Sequence, residues 1–351
     1  MSAVKEHLMS WATGRAGRFP RGRESALTVV LENPEHLSAL LASGVVDART
    51  MVFVPGHAGG ADGPVVVGYE GSLSEPGAEF SHDPGFYLQI QAYGISEYMS
   101  VVGPTLIRVA DGTDFEIYLR DADRARHEGV FAEFLTNPVI QLADLPALGA
   151  GPQGDGPVLR LHVGRSGELS TSSGGRRLGT VGDSLNHVAA EWARVNSESA
   201  QPCAVCLGGS LPEPTRASEV AERPWLGRYL AALHGIRDLR ARGLNITGVS
   251  GFGGRLVPAL SELPNATDAV APTLPLLLWT DDSVYVHSAP HGRSFQLDRV
   301  VAEMAEALLV CGSVDAATAF ADRENLEQVR ALFDRAGIQL DSRALSAART
   351  S

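Results

Sequence analysis

The first part of the chain alternates short apolar runs with amphipathic stretches. Residues 4–12 have the apolar spacing of a short amphipathic helix. Residues 34–44 predict a second helix, with Asn33 at the N-cap and Pro34 in the first turn. Runs rich in β-branched and aromatic residues predict strands at 26–33, 50–56, 64–71, 86–94 and 105–112.

The stretch that follows these strands predicts a hairpin and then a helix. An Asp-Gly step at Asp111-Gly112 is typical of a tight hairpin turn, so residues 114–121 are predicted as a strand. Residues 122–135 then have helical spacing. Together these elements predict one mixed α/β domain over residues 1–145, within the usual length of a domain.

A second α/β region is predicted over residues 158–260. The Gly/Pro-rich stretch at 146–157 predicts a linker before it. Residues 223–243 predict the longest helix of the chain, with a stripe of apolar residues that faces a core. That stripe consists of Trp225, Tyr229, Leu233, Ile236 and Leu239.

A third region, residues 272–340, follows a loop-rich boundary at 261–272. Its pattern predicts three strands and then three helices, in the order β-β-β-α-α-α. The strands are predicted at 274–279, 283–288 and 293–297, and the helices at 298–309, 313–320 and 323–337. With the mixed regions before it, this order predicts the fold class α/β (α+β) for the chain.

Cap residues and apolar faces support the three helices of this last region. Asp298 and Ser313 are suited to the N-cap position, and Gly312 and Gly337 to the end of a helix. The predicted inward faces are Val300, Val301, Met304, Ala305 and Leu308 in the first helix, and Leu326, Val329, Leu332 and Phe333 in the third.

Composition and charge narrow the function classes. The chain has 351 residues, which predicts two or three domains, and its net charge of −12 disfavours broad binding to nucleic-acid phosphates. No apolar run approaches the roughly 20 residues of a membrane span, and the first residues lack the apolar core of a signal peptide. Three cysteines are too few for a disulfide framework. These features predict a cytoplasmic protein that binds neither membrane nor nucleic acid.

Two stretches have residue types that occur in catalytic or metal sites. Cys203 and Cys206 form a single C-x-x-C pair, so a zinc site would need further ligands from distant histidines; two buried thiols beside a turn are the alternative. His57 follows an apolar strand in a His-Ala-Gly-Gly loop, like the oxyanion loop of some esterases. The nucleophile motif G-x-S-x-G is missing, since neither Ser250 nor Ser166 has the final glycine. We therefore predict no catalytic residues, no metal site and no cofactor.

The third region resembles a known family of peptide-binding domains. The stretch "SFQLDRVVAEMAEALLVCGSVDAATAF", followed by "NLEQVRALFDRAGIQL", is similar to the PqqD-like winged-helix domain known as the RiPP recognition element. The whole chain, with a long α/β region before this domain, also resembles recognition proteins of daptide biosynthesis. The resemblance implies a non-catalytic protein that binds the leader of a ribosomally made precursor peptide and presents it to modifying enzymes.

The resemblance also implies where the leader binds. In this family the leader adds as a strand to the third strand, here 293–297, and lies against the third helix, here 323–336. The residues that these positions assign to peptide binding are Arg293, Phe295, Leu297, Arg323, Glu327, Arg330 and Phe333. Phe295 and Phe333 have an alternative role as core residues.

Two other function classes remain open from the sequence. One is a hydrolase or another enzyme with a site in residues 26–260. The other is a winged-helix transcription regulator, which the balanced charges of residues 323–336 disfavour. For the recognition protein, the expected partners are the precursor leader peptide and a peptide-modifying enzyme such as an oxidoreductase, with a homodimer also possible.

Overall fold

The structure is a computed structural model that describes residues 3–16, 19, 25–56, 63–83, 85–151, 156–263, 274–289 and 291–340. The chain divides into two compact units. Unit 1 comprises Met1–Tyr118 with Val139–Glu222, and unit 2 comprises Leu119–Pro138 with Arg223–Ser351. Both units combine helices and strands, which confirms the α/β (α+β) fold class.

Unit 1 is built on a ten-stranded mixed sheet with the order β10-β9-β8-β1-β2-β3-β4-β5-β6-β7. The neighbours β8-β1-β2-β3 are parallel, as are β5-β6-β7, whereas β4, β9 and β10 pair antiparallel. The strands are β1 (Thr28–Leu31), β2 (Met51–Pro55), β3 (Val65–Gly71), β4 (Glu79–His82), β5 (Phe86–Ala92), β6 (Thr105–Arg108), β7 (Ile140–Leu142), β8 (Arg160–Val163), β9 (Glu168–Ser170) and β10 (Gly179–Thr180).

Apolar cores cover both faces of this sheet, which is why strands such as β1 are buried along their whole length. The helices that begin in unit 1 are α1 (Ala3–Thr13), α2 (Leu37–Ala42), α3 (Gly112–Glu128), α4 (Leu185–Ser197) and α5 (Glu213–Glu222). Leu8 and Trp11 of α1 belong to the core on one face, and Leu40 of α2 and Val188 of α4 belong to the core on the other. As predicted, Asn33 accepts a hydrogen bond at the N-terminus of the 34–44 segment, from the Glu35 N–H at 3.0 Å.

Unit 2 contains a four-stranded antiparallel sheet with the order β11-β12-β13-β14. Its elements are β11 (Gly248–Val249), β12 (Leu276–Trp279), β13 (Val284–Ser288), β14 (Arg293–Leu297), α6 (Leu226–Arg240), α7 (Arg299–Cys311), α8 (Val314–Ala317) and α9 (Arg323–Arg335). The predicted order of three strands and three helices is confirmed, with the short strand β11 added at the far edge. None of the helices among the described residues combines the length and apolar character that crossing a membrane requires.

Helices cover both faces of this small sheet. Val284 and Val286 of β13 pack into the core formed by α7, α8 and α9. His287 points to the other face, where α6 lies so close that a side-chain carbon on Gly235 would come within 3.2 Å of the His287 Cβ. The predicted caps of the last three helices are also observed: Asp298 and Ser313 accept N-cap hydrogen bonds, and Gly312 and Gly337 have the left-handed backbone.

The predicted strand at 114–121 is wrong, because these residues belong to helix α3. Asp111 accepts a hydrogen bond from the Asp114 N–H at 2.9 Å, so the Asp-Gly step starts a helix and does not form a hairpin turn. The buried residues Phe115, Tyr118, Leu119, Ala122 and Ala125 have helical spacing. At 17 residues, α3 is longer than the 15 residues of α6, so the prediction of the longest helix is also wrong.

The stretch at 146–157 is not an extended linker in its described part. Pro146–Ala150 forms a helical turn, and the Leu148 carbonyl accepts a hydrogen bond from the Tyr118 hydroxyl at 2.7 Å. Strands on both sides of this segment belong to the same sheet, since β8 pairs with β1. The apolar residues of the turn therefore serve the core of unit 1.

Two predicted inward residues of unit 2 face outward. Val300 has 61% of its surface exposed and Leu332 has 44%, whereas Leu326, Val329 and Phe333 are buried. Val300 lies in the first turn of α7, and Leu332 lies at the margin of the buried face of α9. The apolar stripe predicted from the sequence is therefore wider than the face that the core covers.

A buried carboxylate connects α7 to the loop that follows β11. Glu306 of α7 is fully buried and accepts hydrogen bonds from the Ser250 hydroxyl at 2.6 Å, the Leu256 N–H at 2.9 Å and the Val257 N–H at 2.6 Å. Three donors satisfy this carboxylate, and each would lose its partner if the carboxylate were removed.

We expect Glu306→Gln to destabilise unit 2 by about 3 kcal/mol, because the amide nitrogen would oppose donors that are already buried. The measurement is native-state hydrogen exchange of the α7 amides. The matched control is Glu303→Gln on the same helix, which removes a half-exposed ion pair with Arg299 and should change stability by less than about 0.5 kcal/mol. Equal effects of the two variants would contradict this role for Glu306.

Candidate functional site

The outer edge of β14 has main-chain groups without a partner strand among the described residues. The Thr280 N–H donates to the Ser283 carbonyl at 2.9 Å, which closes the β12–β13 turn and fixes the alternation of the antiparallel ladder. In this register, Arg293, Phe295 and Leu297 direct their N–H and C=O groups toward β13. The N–H and C=O groups of Ser294 and Gln296 therefore face outward.

The side chains of β14 alternate between the two faces of the sheet. Leu297 packs against the core that contains Phe333, so the face that it shares with Arg293 and Phe295 is the one that α7, α8 and α9 cover. Arg293 is exposed, and Phe295 keeps 45% of its surface exposed although its cross-strand partner Val286 is buried. The predicted strand residues thus share one face, and Phe295 is an exposed aromatic side chain beside an open edge.

The predicted residues of α9 fall into two groups. Phe333 is 3% exposed and belongs to the core, in agreement with its alternative role. Arg323, Glu327 and Arg330 are exposed on one side of the helix. The Arg323 guanidinium donates to Asp315 of α8 at 2.5 Å, which raises its pKa, and lies 3.8 Å from Glu327. This side of α9 is therefore the one next to α8.

Polar side chains on the α6 face hold Ser294 of the edge strand. His287 Nδ1 lies 2.9 Å from the Ser294 Oγ, and His287 Nε2 lies 3.1 Å from His234 Nδ1. Burial alone would raise the pKa of Asp238, but a hydrogen bond from Ser294 and the charge and hydrogen bond of Arg242 lower it. Because this carboxylate only accepts hydrogen bonds, the Ser294 hydroxyl donates to it and accepts from His287.

A second histidine contacts this cluster. His287 Nε2 and His234 Nδ1 lie within hydrogen-bond distance, so one of the two ring nitrogens donates to the other. The sequence prediction did not include this cluster. Its members come from α6, β13 and β14, and only the spacing of Asp238 and Arg242 along one helix face was visible locally.

Unit 1 contains a separate cluster of buried charges. Asp144 accepts from Arg108 at 3.2 Å and from Arg160 at 2.7 Å, and all three side chains are at least nine-tenths buried. Asp144 adopts a left-handed backbone conformation at φ 52°, which brings its carboxylate between the two guanidiniums. Arg160 also donates to the Cys206 sulfur at 3.2 Å. One carboxylate therefore connects β6, β7 and β8 of the sheet.

Glu32, Ser74 and His162 form a second buried polar group in unit 1. Ser74 Oγ donates to Glu32 at 2.5 Å and lies 3.2 Å from His162 Nε2, which is 3.6 Å from the same carboxylate. In a nucleophile–base–acid relay, the acid binds the histidine nitrogen opposite to the one that contacts the serine. Here Glu32 contacts both the serine and the serine-facing nitrogen, so the geometry differs from that relay.

The other residues that the sequence analysis considered for catalysis or metal binding do not form a site among the described residues. Cys203 and Cys206 are buried thiols that form no disulfide, and nowhere in the described part of the chain do three or more His, Cys, Asp or Glu side chains form a group that could hold a metal ion. Ser250 is buried and donates to Glu306. His57 lies outside the described residues.

Comparisons of the chain with protein-family models, with curated proteins and with solved structures give no match.

The hydrogen bonds to Glu32 predict an acid-sensitive contribution to the stability of unit 1. Burial alone would raise the pKa of Glu32, but His162, Ser74 and Ser72 lower it overall. A folded pKa below the unfolded one means that the stabilisation is present above the unfolded pKa and is lost as the pH falls through the folded pKa. We expect Ser74→Ala to raise the pKa of Glu32, so that the acid-side loss begins at a higher pH.

The measurement is the melting temperature as a function of pH, together with an NMR titration of the Glu32 carboxyl. The matched control is Ser197→Ala, which removes an exposed hydroxyl that donates to the Arg194 carbonyl in the same unit. An unchanged Glu32 pKa in Ser74→Ala would contradict the prediction.

Proposed function

We propose that the chain is a non-catalytic peptide-binding protein that recognises the leader of a ribosomally made precursor peptide by β-strand addition to β14. The observation that carries the proposal is an exposed aromatic side chain, Phe295, beside an edge strand whose outward groups at Ser294 and Gln296 have no partner strand among the described residues. Exposed edges of this kind bind extended peptides through main-chain hydrogen bonds, while adjacent side chains select the sequence. The resemblance to the RiPP recognition element points to the same strand.

The affinity in this proposal comes mainly from apolar contact. Ordering a flexible peptide costs roughly 2–5 kcal/mol, and an exposed main-chain ladder of two residues offsets only part of that cost. Phe295 offers apolar surface next to the ladder, and Leu297 on the same face packs against the core of unit 2, to which the buried Phe333 also belongs. We therefore expect the leader to place an apolar side chain against Phe295.

The charged side chains have a smaller part in the proposal. Arg323 and Glu327 already interact with each other and with α8, whereas Arg293 lies on β14 itself. We propose that Arg293 interacts with acidic side chains of the leader and that Arg323, Glu327 and Arg330, on the side of α9 next to α8, contribute less. Exposed ion pairs of this kind contribute about 0.2–1 kcal/mol each.

A second surface supports the proposed partnership with a modifying enzyme such as an oxidoreductase. Four large apolar side chains of unit 1 that lie within one short segment are exposed: Ile95, Tyr98, Met99 and Val102. Contiguous exposed apolar surface is typical of interaction sites. We propose that this segment docks the modifying enzyme in the cytoplasm, and that a homodimer is the competing use of the same surface.

The proposal predicts that Phe295→Ser weakens leader binding about tenfold or more, because it removes roughly half of a phenylalanine surface from the contact. The measurement is fluorescence polarisation of the labelled leader of the precursor peptide with the full chain. Phe320→Ser is the matched control, since Phe320 is also exposed, at 36%, but lies between α8 and α9.

Gln296→Pro is a second, backbone-directed variant for the same measurement. It removes one outward-facing N–H without removing a main-chain bond to β13, and proline is tolerated at such positions of edge strands. It also removes the exposed hydrogen bond from Gln296 Nε2 to the Ser283 hydroxyl. We expect it to weaken leader binding as Phe295→Ser does. Leader binding that both variants leave unchanged would overturn strand addition at β14.

A further inference from the structure

Arg242 of unit 2 reaches the open edge of β14 from the end of α6. Its Nη1 donates to the main-chain carbonyl of Ser294 at 3.1 Å, and its Nη2 donates to Asp238 at 2.6 Å. The side chain of Arg242 is 45% exposed and that of Asp238 is 26% exposed. An arginine that lies just after α6, and that a carboxylate of α6 holds, is therefore bonded to the backbone of the edge strand.

The carbonyl that Arg242 binds is one of the groups that an added strand would use. In the register of the sheet, the outward groups of β14 are the N–H and C=O of Ser294 and Gln296. An antiparallel neighbour would exchange hydrogen bonds with both groups of one such residue. At Ser294, the acceptor already has a donor, so an incoming N–H must share the carbonyl or displace the guanidinium.

A carboxylate on the incoming strand removes this conflict. A guanidinium has five N–H donors and no acceptor, and it forms its strongest bonds with carboxylates. Arg242 can keep Asp238 through one nitrogen and turn the other toward an acidic side chain of the added peptide. If the peptide lacks such a group, its main-chain N–H and the guanidinium compete for the same Ser294 carbonyl.

We propose that Arg242 makes the β14 edge selective for extended peptides that carry an aspartate or glutamate at the residue that pairs with Ser294 or two positions from it, where the side chain lies on the α6 side of the sheet. This inference rests on the proposed strand addition and names the chemistry of the peptide that is added. Arg242 contacts the edge strand at the Ser294 carbonyl, and it does so from the α6 side of the sheet, opposite to the face that bears Phe295.

The test selects a phage-displayed library of random twelve-residue peptides on the full chain and on Arg242→Met and Arg242→Glu. Synthetic copies of the selected peptides, with each acidic residue replaced in turn by its amide, are then measured by fluorescence polarisation. Arg194→Met is the matched control, because Arg194 also forms an i,i+4 ion pair with Glu198 and has a side chain that is 48% exposed, but lies in unit 1.

We expect peptides selected on the unaltered chain to share an acidic position whose replacement by the amide weakens binding roughly threefold to fivefold, as for a half-exposed ion pair. The penalty should persist in Arg194→Met, disappear in Arg242→Met, and give way to a preference for lysine or arginine in Arg242→Glu. Gln296→Pro should abolish binding of these peptides.

Two negative results separate this inference from the proposed function. Peptides whose binding Gln296→Pro abolishes, but which lack an acidic preference or keep it in Arg242→Met, would overturn the role of Arg242 and leave strand addition intact. Peptides whose binding is unaffected by both Gln296→Pro and Phe295→Ser would overturn strand addition, and the selectivity of Arg242 with it.

Discussion

Unpaired main-chain groups at a sheet edge are the constraint on which the structure of unit 2 depends. Arg242 donates to the Ser294 carbonyl, and water or another chain must satisfy the other outward N–H and C=O groups of Ser294 and Gln296, because the sheet ends at β14 among the described residues. Helices cover both faces of this sheet, so the edge is where an extended segment can join it. The hydrogen bonds that join the buried His287 and Ser294 to the partly exposed Asp238 hold this edge in position, which lowers the entropy cost of adding a strand to it.

A different constraint organises unit 1, where charges are buried within the sheet. Arg108 and Arg160 are held by one carboxylate, Asp144, and removing one partner of such a group is far more costly than the net stabilisation that the whole group provides. One carboxylate therefore bonds to an arginine of β6 and to an arginine of β8 from its position just after β7. Glu32 is a second buried carboxylate of unit 1 that is held by side chains from separate elements. Side chains from β8 and from the loop after β3 keep its pKa below its usual range.

Local signals predicted the third region well. Asp298, Ser313, Gly312 and Gly337 act within one helical turn of their own positions, so the sequence alone was sufficient to place α7, α8 and α9. The prediction failed at 114–121, where the Asp111-Gly112 step was interpreted as a hairpin turn although the apolar residues have a helical spacing that continues to Ala125. The contact of Arg242 with Ser294 joins residues 52 positions apart, and no local pattern carries information about it. The inward face of α9 was predicted except at Leu332, because periodicity gives the direction of a face but not its width.

In the proposed peptide recognition, the two faces of β14 have complementary roles. On one face, Phe295 offers exposed apolar surface, which provides affinity with little discrimination among apolar side chains. On the other face, Arg242 and Asp238 offer charge at a half-exposed site, which provides little affinity but penalises a peptide that lacks the matching group. An added strand alternates its side chains between these same two faces. Recognition by such an edge therefore depends on the spacing of one apolar and one acidic residue along the peptide, which should lie an odd number of positions apart.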